Sequence, residues 1–266
     1  MKYSIITINY NNHIGLERTI QSVLCQTYDN YEYIIIDGAS TDGSVGVVKK
    51  YESKLAYWVS EKDNGIYHAM NKGVCYSHGD YCIFMNSGDI FYSDDVLAQV
   101  ANMGYVEKII VGNVVSGDGM VIPTRPSRDF SLYHLYSASI PHQASFISTE
   151  LLRKYPYDEN LKIVSDWKFF LQTLIIDNCT LRYIDTIIAE YDLTGISSVN
   201  SDIMLAEKRM VLSSLIQPRI LSDYKWMKST ECKTQTLTPQ LKDCYRIDKI
   251  LYNIGRFLLW LKKRKC

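Results

Sequence analysis

Several patterns are missing from this 266-residue chain, and each absence removes a class of protein. No apolar run approaches the roughly 20 residues that a membrane-spanning helix needs, so no span is expected. Net charge is absent too: 29 basic and 29 acidic residues cancel, which leaves no whole-molecule field to draw in a nucleic acid. The cysteines at 25, 75, 82, 179, 232, 244 and 266 include no Cys-x-x-Cys pair and no zinc spacing. Their odd number does not fit a disulfide framework, and they read as reduced thiols in a reducing compartment. Nothing at the start reads as a signal peptide, because Lys2 leads straight into the strand-like Tyr-Ser-Ile-Ile-Thr-Ile. No Gly-x-Gly-x-x-Gly follows that strand, which argues against a dinucleotide-dependent dehydrogenase. Internal repeats and low-complexity tracts are also lacking.

What is present is an ordinary globular mixture, 47% hydrophobic and 22% charged, long enough for a sizeable core. Tyrosine is abundant at 21 residues. Its flat ring and hydroxyl suit sugar and nucleoside surfaces as well as half-buried sheet positions. Strand-like runs at 3–9, 31–36, 57–60 and 81–85 alternate with helical patterns at 15–25, 45–51 and 67–77, the signature of parallel βαβ units. After about 105 the pattern changes. Strand-like pieces at 108–115 and 119–123 bracket the turn Ser116-Gly117-Asp118-Gly119. Further strands are expected at 140–150 and 181–191, a helix at 166–176, and helices over 202–266. The expected organisation is 1–105 as a nucleotide half, 106–200 as an acceptor half of the same domain, and 201–266 as a helical C-terminal extension.

The acids carry the chemistry. Asp37 closes the second strand, Asp63 follows the third and Asp89 the fourth. In a parallel sheet the loops after successive strands share one edge, so three carboxylates from distant parts of the chain can face one cleft. Such a cleft repels a phosphate unless Mg²⁺ or Mn²⁺ bridges the two. Taken singly, each of these aspartates reads as a turn former or a helix cap, and it is their joint placement at successive strand ends that points to function.

Four ordered motifs resemble the inverting family 2 glycosyltransferases, which have the GT-A fold. They are Ser4-Ile5-Ile6-Thr7-Ile8-Asn9-Tyr10-Asn11, Ser22-Val23-Leu24-Cys25-Gln26-Thr27-Tyr28, Tyr31 through Asp37-Gly38-Ala39-Ser40-Thr41-Asp42-Gly43, and Glu61-Lys62-Asp63-Asn64-Gly65-Ile66-Tyr67-His68-Ala69-Met70-Asn71-Lys72-Gly73. The resemblance is strong over 3–95 and looser over 140–197. It implies a Rossmann-like central mixed sheet flanked by helices, and transfer of a sugar from a nucleotide diphosphate, a UDP-sugar by expectation, to an acceptor hydroxyl. It further implies that Tyr10 lies beside the base, that Asp37 and Asp63 hold the nucleoside, and that Asn71 and Lys72 approach the sugar or diphosphate. The acid-rich metal loop of the family is reduced here to Asn86-Ser87-Gly88-Asp89, so Asp89 is the implied ligand of Mn²⁺ or Mg²⁺.

The segment Tyr157-Asp158-Glu159 through Ser165-Asp166-Trp167 matches the family's catalytic-base stretch, which makes Asp166 the implied base. Ser165 and Asp166 also stand where a helix cap would, and that reading competes. His142 in Pro141-His142-Gln143 and Trp167 are the candidate acceptor contacts, the second as a stacking platform, with core or structural roles as the alternatives. Asp192-Leu193-Thr194-Gly195-Ile196-Ser197-Ser198 resembles the family's closing turn. The end, ILYNIGRFLLWLKKRKC, has apolar residues at helical spacing and a basic cluster, so it is either an element lying on anionic membrane or a helix packed on the domain. The acceptor is expected to be a glycan or lipid-linked glycan of a bacterial surface polysaccharide. The location is expected to be cytoplasmic, at the inner face of the membrane. Two rivals remain: a non-catalytic nucleotide-sugar binder of the same fold, and a nucleotidyltransferase, whose Gly-rich basic loop Asn9-Tyr10-Asn11-Asn12-His13 does not supply.

Overall fold

The first strand, β1 (Tyr3–Asn9), is wholly buried and mostly apolar, as suits a strand inside a parallel sheet. β2 (Tyr31–Asp37) pairs along its full length, Tyr3 opposite Tyr31 and Asn9 opposite Asp37, so the two strands end level. β3 (Tyr57–Ser60) extends the parallel sheet on the far side of β2, and β4 (Tyr81–Phe84) lies on the other side of β1. The intervening crossovers carry α1 (His13–Leu24), α2 (Ser44–Tyr51) and α3 (Ile66–Cys75). Then follow β5 (Ile90–Phe91), α4 (Val96–Asn102), β6 (Ile109–Ser116), β7 (Val121–Ile122) and α5 (Leu132–Ser137). β8 (Ser145–Ser148), α6 (Thr149–Lys154), α7 (Ser165–Phe170), β9 (Leu181–Tyr191) and α8 (Ser201–Leu215) complete the order. The computed structural model describes residues 1–126, 130–191, 201–227 and 229. The closing turn at 192–198, the tail at 250–266 and Cys232, Cys244 and Cys266 lie outside them.

Among the described residues one mixed sheet runs β3-β2-β1-β4-β8-β6-β9-β5, with β7 hairpinned onto β6. β8 is antiparallel to both β4 and β6, while β6 and β9 are parallel. β5, from the first half of the chain, pairs with β9 from the second, so the expected nucleotide and acceptor halves share one sheet. This is the α/β mixed sheet with flanking helices expected from the resemblance. The chain divides into two compact units, Met1–Val211 and Leu212–Cys266; residues 218–227 of the second are helical. The core of the first joins Ile5, Tyr33, Ile35 and Ile83 of the sheet to Leu16, Ile20 and Val23 of α1. On the other face α3 sits close to β1: a Cβ at Gly73 would come within 2.4 Å of Ile6 Cγ2, so only glycine allows this approach.

Two expectations are corrected. The strand expected at 140–150 is a 3-10 turn (His142–Ala144), the four-residue β8 and the start of α6. Pro141 fixes an extended turn before the strand, and the run mixes a strand with a helix start that periodicity alone could not separate. The helix expected at 166–176 is α7 followed by a π-helical stretch, Leu171–Ile176.

Candidate active site

The parallel strands deliver four loops to their carboxyl edge. Asp37 is fully buried at the end of β2. Its Oδ1 accepts from Asn9 Nδ2 at 2.7 Å and Ser40 Oγ at 2.6 Å, and its Oδ2 from Ser40 N at 2.9 Å and Ser60 Oγ at 2.5 Å. The carboxylate therefore ties the ends of β1, β2 and β3 together from beneath, and its exposure as a direct nucleoside contact is not what the structure places there. Its lone pairs are spent on that tie, a common fate of a buried acid.

Above it the surface is built by strained loops. Asn11 and Ala39 hold positive φ angles of 49° and 62°, and they lock together as Thr41 N donates to Asn11 Oδ1 and Asn11 N to Ser40 Oγ, both at 2.8 Å. Left-handed backbone at two non-glycine residues is strain of the kind held at functional sites. Tyr10 rises beside them, 68% exposed. Gly38, Asp63 and Tyr10 converge: a Cβ at Gly38 would stand 2.7 Å from Asp63 Oδ2 and 3.2 Å from Tyr10 Cδ2. Asp63 Oδ1 accepts from Gly65 N at 3.0 Å, opening α3. Lys72 pairs with Glu61 of the same loop at 2.7 Å.

The loop after β4 is anchored by Ser87 N on Ile8 O (3.1 Å) and by Asn12 Nδ2 on Ser87 O (3.0 Å). Thr19 of α1 organises its turn, accepting from Gly88 N at 3.0 Å and donating to Asp89 O at 2.8 Å. Asp89 is 8% exposed. In the same turn Asn86 Oδ1 is buried without a hydrogen-bond partner. Among the described residues no group of three or more His, Cys, Asp or Glu side chains is set to hold a metal ion. The donors present are a carboxylate and an orphaned amide oxygen. That chemistry fits a hard divalent cation as part of a shell, the rest to come from phosphate oxygens and water.

Asp166 stands second in α7, whose cap position is Val164, so the cap reading does not hold. Its Oδ1 accepts from Trp167 N at 2.8 Å and Tyr67 Oη at 3.1 Å, and its Oδ2 lies 3.2 Å from His142 Nδ1. His142 Nε2 in turn lies 3.0 Å from Asn86 Nδ2, so one imidazole bridges the α7 acid and the loop of Asp89. Burial pushes the His142 pKa down, but its hydrogen bond and charge pairing with Asp166, with the charge of Asp89, outweigh this and leave it raised. Tyr67, buried beside Asp166, has its phenol pushed far up, first by burial and then by that carboxylate.

Three expected contacts are reassigned by this geometry. Trp167 is 2% exposed, gives Nε1 to Leu135 O at 2.8 Å and has Lys208 Nζ 5.0 Å from its ring centre. It is a core residue and no stacking platform. Asn71 donates to Tyr157 O and Glu159 Oε1 and accepts from Tyr157 N, all at 2.9 Å, so its amide joins α3 to the segment that leads to Asp166. His142 has both ring nitrogens engaged within the protein, which leaves none for an acceptor. Residues that sequence reasoning gave no role include Tyr67, Asn86, Thr19 and Glu207. The Glu207 carboxylate of α8 accepts the backbone N–H groups of Lys162, Ile163 and Val164 at 2.7, 3.0 and 3.2 Å, just ahead of Asp166. Tyr67 and Asn86 sit within quoted motifs; nothing local marks Glu207.

A mixed sheet with its polar loops gathered at one edge, and an acid facing them from a second segment, is an architecture suited to glycosyl transfer. The glycosyl transferase family 2 model matches residues 4–172, and the chain belongs to that family. It is 37% identical over 207 residues to an uncharacterized glycosyltransferase of Mycobacterium tuberculosis, covering 73% of this chain and 76% of that one. A PGL/p-HBAD biosynthesis glycosyltransferase of Mycobacterium bovis is 28% identical, over 73% of this chain and 77% of its own length. Among solved structures, residues 1–349 of Staphylococcus aureus TarS match with a TM-score of 0.65 at 19% identity, over 82% of this chain and 67% of that one. These mycobacterial relatives are thus covered over most of their length, and the TarS likeness is one of fold.

Proposed function

We propose that this chain moves a sugar from a nucleotide-diphosphate donor to an acceptor hydroxyl with inversion, in one in-line displacement. The observation that carries the reading is the Asp166–His142–Asn86 chain, which joins the candidate base to the loop of Asp89 across three segments. Asp166 takes the proton of the attacking hydroxyl as its oxygen bonds to the anomeric carbon, and the bond from that carbon to the diphosphate oxygen breaks with the nucleoside diphosphate leaving. Tyr10 and Asp63 flank the nucleoside, Asp37 shapes that surface from below, and Lys72 sits at its rim. Asp89 would hold a divalent cation, Mn²⁺ or Mg²⁺, which when bound offsets charge growing on the leaving diphosphate.

Uridine is the favoured base, supported by TarS structures solved with UDP and with UDP-GlcNAc. A Pyrobaculum calidifontis mannosyltransferase solved with GDP-Man and Mn²⁺, with a TM-score of 0.55, supports a metal but another base. The acceptor is a glycan or lipid-linked glycan of a bacterial surface polysaccharide. Its support is the Mycobacterium bovis relative and a putative teichuronic acid biosynthesis glycosyltransferase of Bacillus subtilis, 33% identical over 38% of this chain. No helix among the described residues is long and apolar enough to cross a membrane. We place the enzyme at the cytoplasmic face, its basic C-terminal segment touching anionic lipid. A non-catalytic donor-binding role is the second reading, favoured by the sparse ligand set around Asp89.

Thermal melts against a panel of nucleotide sugars, with and without Mn²⁺, test the proposal. One base class should stabilise the chain, by about 2.7 kcal/mol at a hundredfold excess over Kd, and chelation should reduce the shift. Turnover of the stabilising donor separates enzyme from binder. No stabilisation by any nucleotide sugar refutes both readings.

A further inference from the structure

The carboxylate of Asp166 has two unequal oxygens. Oδ1 accepts from Trp167 N and lies 3.1 Å from Tyr67 Oη, whose single proton is shared with Ile163 O at 2.6 Å, whereas Oδ2 faces only the ring of His142. A carboxylate oxygen offers about two lone-pair directions, so Oδ2 keeps one open for an incoming proton. The residue that aims Oδ2 therefore decides whether the acid faces the hydroxyl it must deprotonate.

His142 is built for that task. It is carried on the 3-10 turn His142–Ala144, which leads into β8 beside β4. Its side chain is 21% exposed, and that of Asp166 is 20% exposed. With Asn86 Nδ2 donating to Nε2, the ring proton sits on Nδ1 and points at Oδ2. A protonated ring would need Asn86 to turn its amide, offering the now unpartnered Oδ1 to Nε2–H. In both states Nδ1–H faces Asp166, so the hold on the base survives either protonation state of the ring. The amide of Asn86 faces Nε2 at 3.0 Å, and it belongs to the turn that carries Asp89.

We propose that His142 is the positioning residue of the base: it fixes Oδ2 of Asp166 toward the acceptor hydroxyl and, through Asn86, keys that orientation to the diphosphate-side loop. The idea rests on the reading of Asp166 given above and deepens it. His142 touches no substrate in this scheme; it acts through Asp166.

The isosteres separate this from a packing role. In His142→Asn the amide N–H takes the place of Nδ1–H, in His142→Gln it falls near Nε2 instead, and His142→Leu supplies neither. With the nucleotide sugar that best stabilises the wild-type chain as donor and water as acceptor, release of the nucleoside diphosphate is measured. His142→Leu and His142→Gln should lose about 100-fold in kcat, the scale expected when a reacting group is misaimed, while donor Kd stays within about twofold. His142→Asn should recover to within about tenfold of wild type. A loss in His142→Asn equal to that in His142→Leu, or a change confined to donor Kd, overturns the proposal. In the same assay Asp166→Asn tells the two failures apart. If Asp166→Asn turns over normally, the base assignment falls; if it is dead while His142→Leu is normal, only the positioning role falls. A readout free of turnover is the ¹⁵N spectrum of the His142 ring in the whole apo chain at alkaline pH. The Nδ1–H tautomer is expected, and weakened in Asp166→Asn; an Nε2–H tautomer in the wild type contradicts the proposal.

Discussion

Replacing Gly38 by alanine probes the nucleoside surface with a single added methyl. Gly38 is not among the residues with positive φ, so its backbone accepts alanine without strain. The new Cβ would stand 2.7 Å from Asp63 Oδ2, 3.3 Å from Asp63 Cγ and 3.2 Å from Tyr10 Cδ2. Contact at that range is repulsive, and the Asp63 carboxylate has to retreat by about 0.5 Å or more. Asp63 is short and its Oδ1 is held by Gly65 N, so the retreat turns the carboxylate away from a ligand above it. A hydrogen bond donated to a charged carboxylate is worth about 1.5–3 kcal/mol, which converts to a loss of roughly 10- to 100-fold in affinity for the nucleoside diphosphate. Folding should change by about 1 kcal/mol or less, since Asp63 is only half-buried and glycine-to-alanine substitution offsets its displacement by restricting the unfolded chain by about 0.4–1 kcal/mol. Titration calorimetry with UDP, paired with a thermal melt of the free chain, reads both quantities. Unaltered UDP affinity in Gly38→Ala would refute the placement of Asp63 on the nucleoside. A fall in melting temperature that accounts for the lost binding would refute the steric argument.

Other substitutions follow from the same geometry. Asn71→Ala removes three hydrogen bonds between α3 and the segment at 157–159; it should cost about 2–3 kcal/mol in urea unfolding and leave intrinsic nucleotide affinity unchanged, whereas a selective loss of affinity would restore Asn71 as a ligand. Glu32 is nearly buried, and although burial pushes its pKa up, Lys2, Ser4 and the His78 N–H outweigh this and leave it lowered. Its stabilising contribution is therefore present above the unfolded carboxylate value, about 4.3, and is lost as pH falls through the lowered folded value. Melting temperature against pH should fall less steeply below about pH 4 in Glu32→Gln than in wild type, and equal slopes would contradict the linkage.

How far the sequence was legible follows from what each signal needs. Long runs such as Tyr31–Asp37 announce themselves because their central stretch Tyr33–Ile36, buried on both faces, is apolar without a break. The two residues of β5 are too few for any period, and α4 and α5 are short helices where the sequence reading expected no element. Asp63 and Asp89 lie at the strand ends where the alternation put them. Asp37 lies there too, but turned inward, because sequence spacing gives the strand end and not the direction of the side chain. Trp167 failed for the same reason: beside Asp166 in sequence, it points into the core. Asn71 has a motif position yet spends its amide on Tyr157 and Glu159, 86 and 88 residues away. Glu207 was invisible, because a carboxylate that accepts three backbone N–H groups 43–45 residues earlier leaves no local pattern.

The central claim is that Asp166 removes the proton from the attacking hydroxyl at a cleft shared with Asp63 and Asp89. Its most direct test is kcat and donor Kd for wild type and Asp166→Asn, measured together. The account predicts that Asp166→Asn binds the donor as wild type does, keeps its fold, and loses about 100- to 10,000-fold in kcat, the range attributed to a general base. Comparable turnover by the two proteins would contradict it.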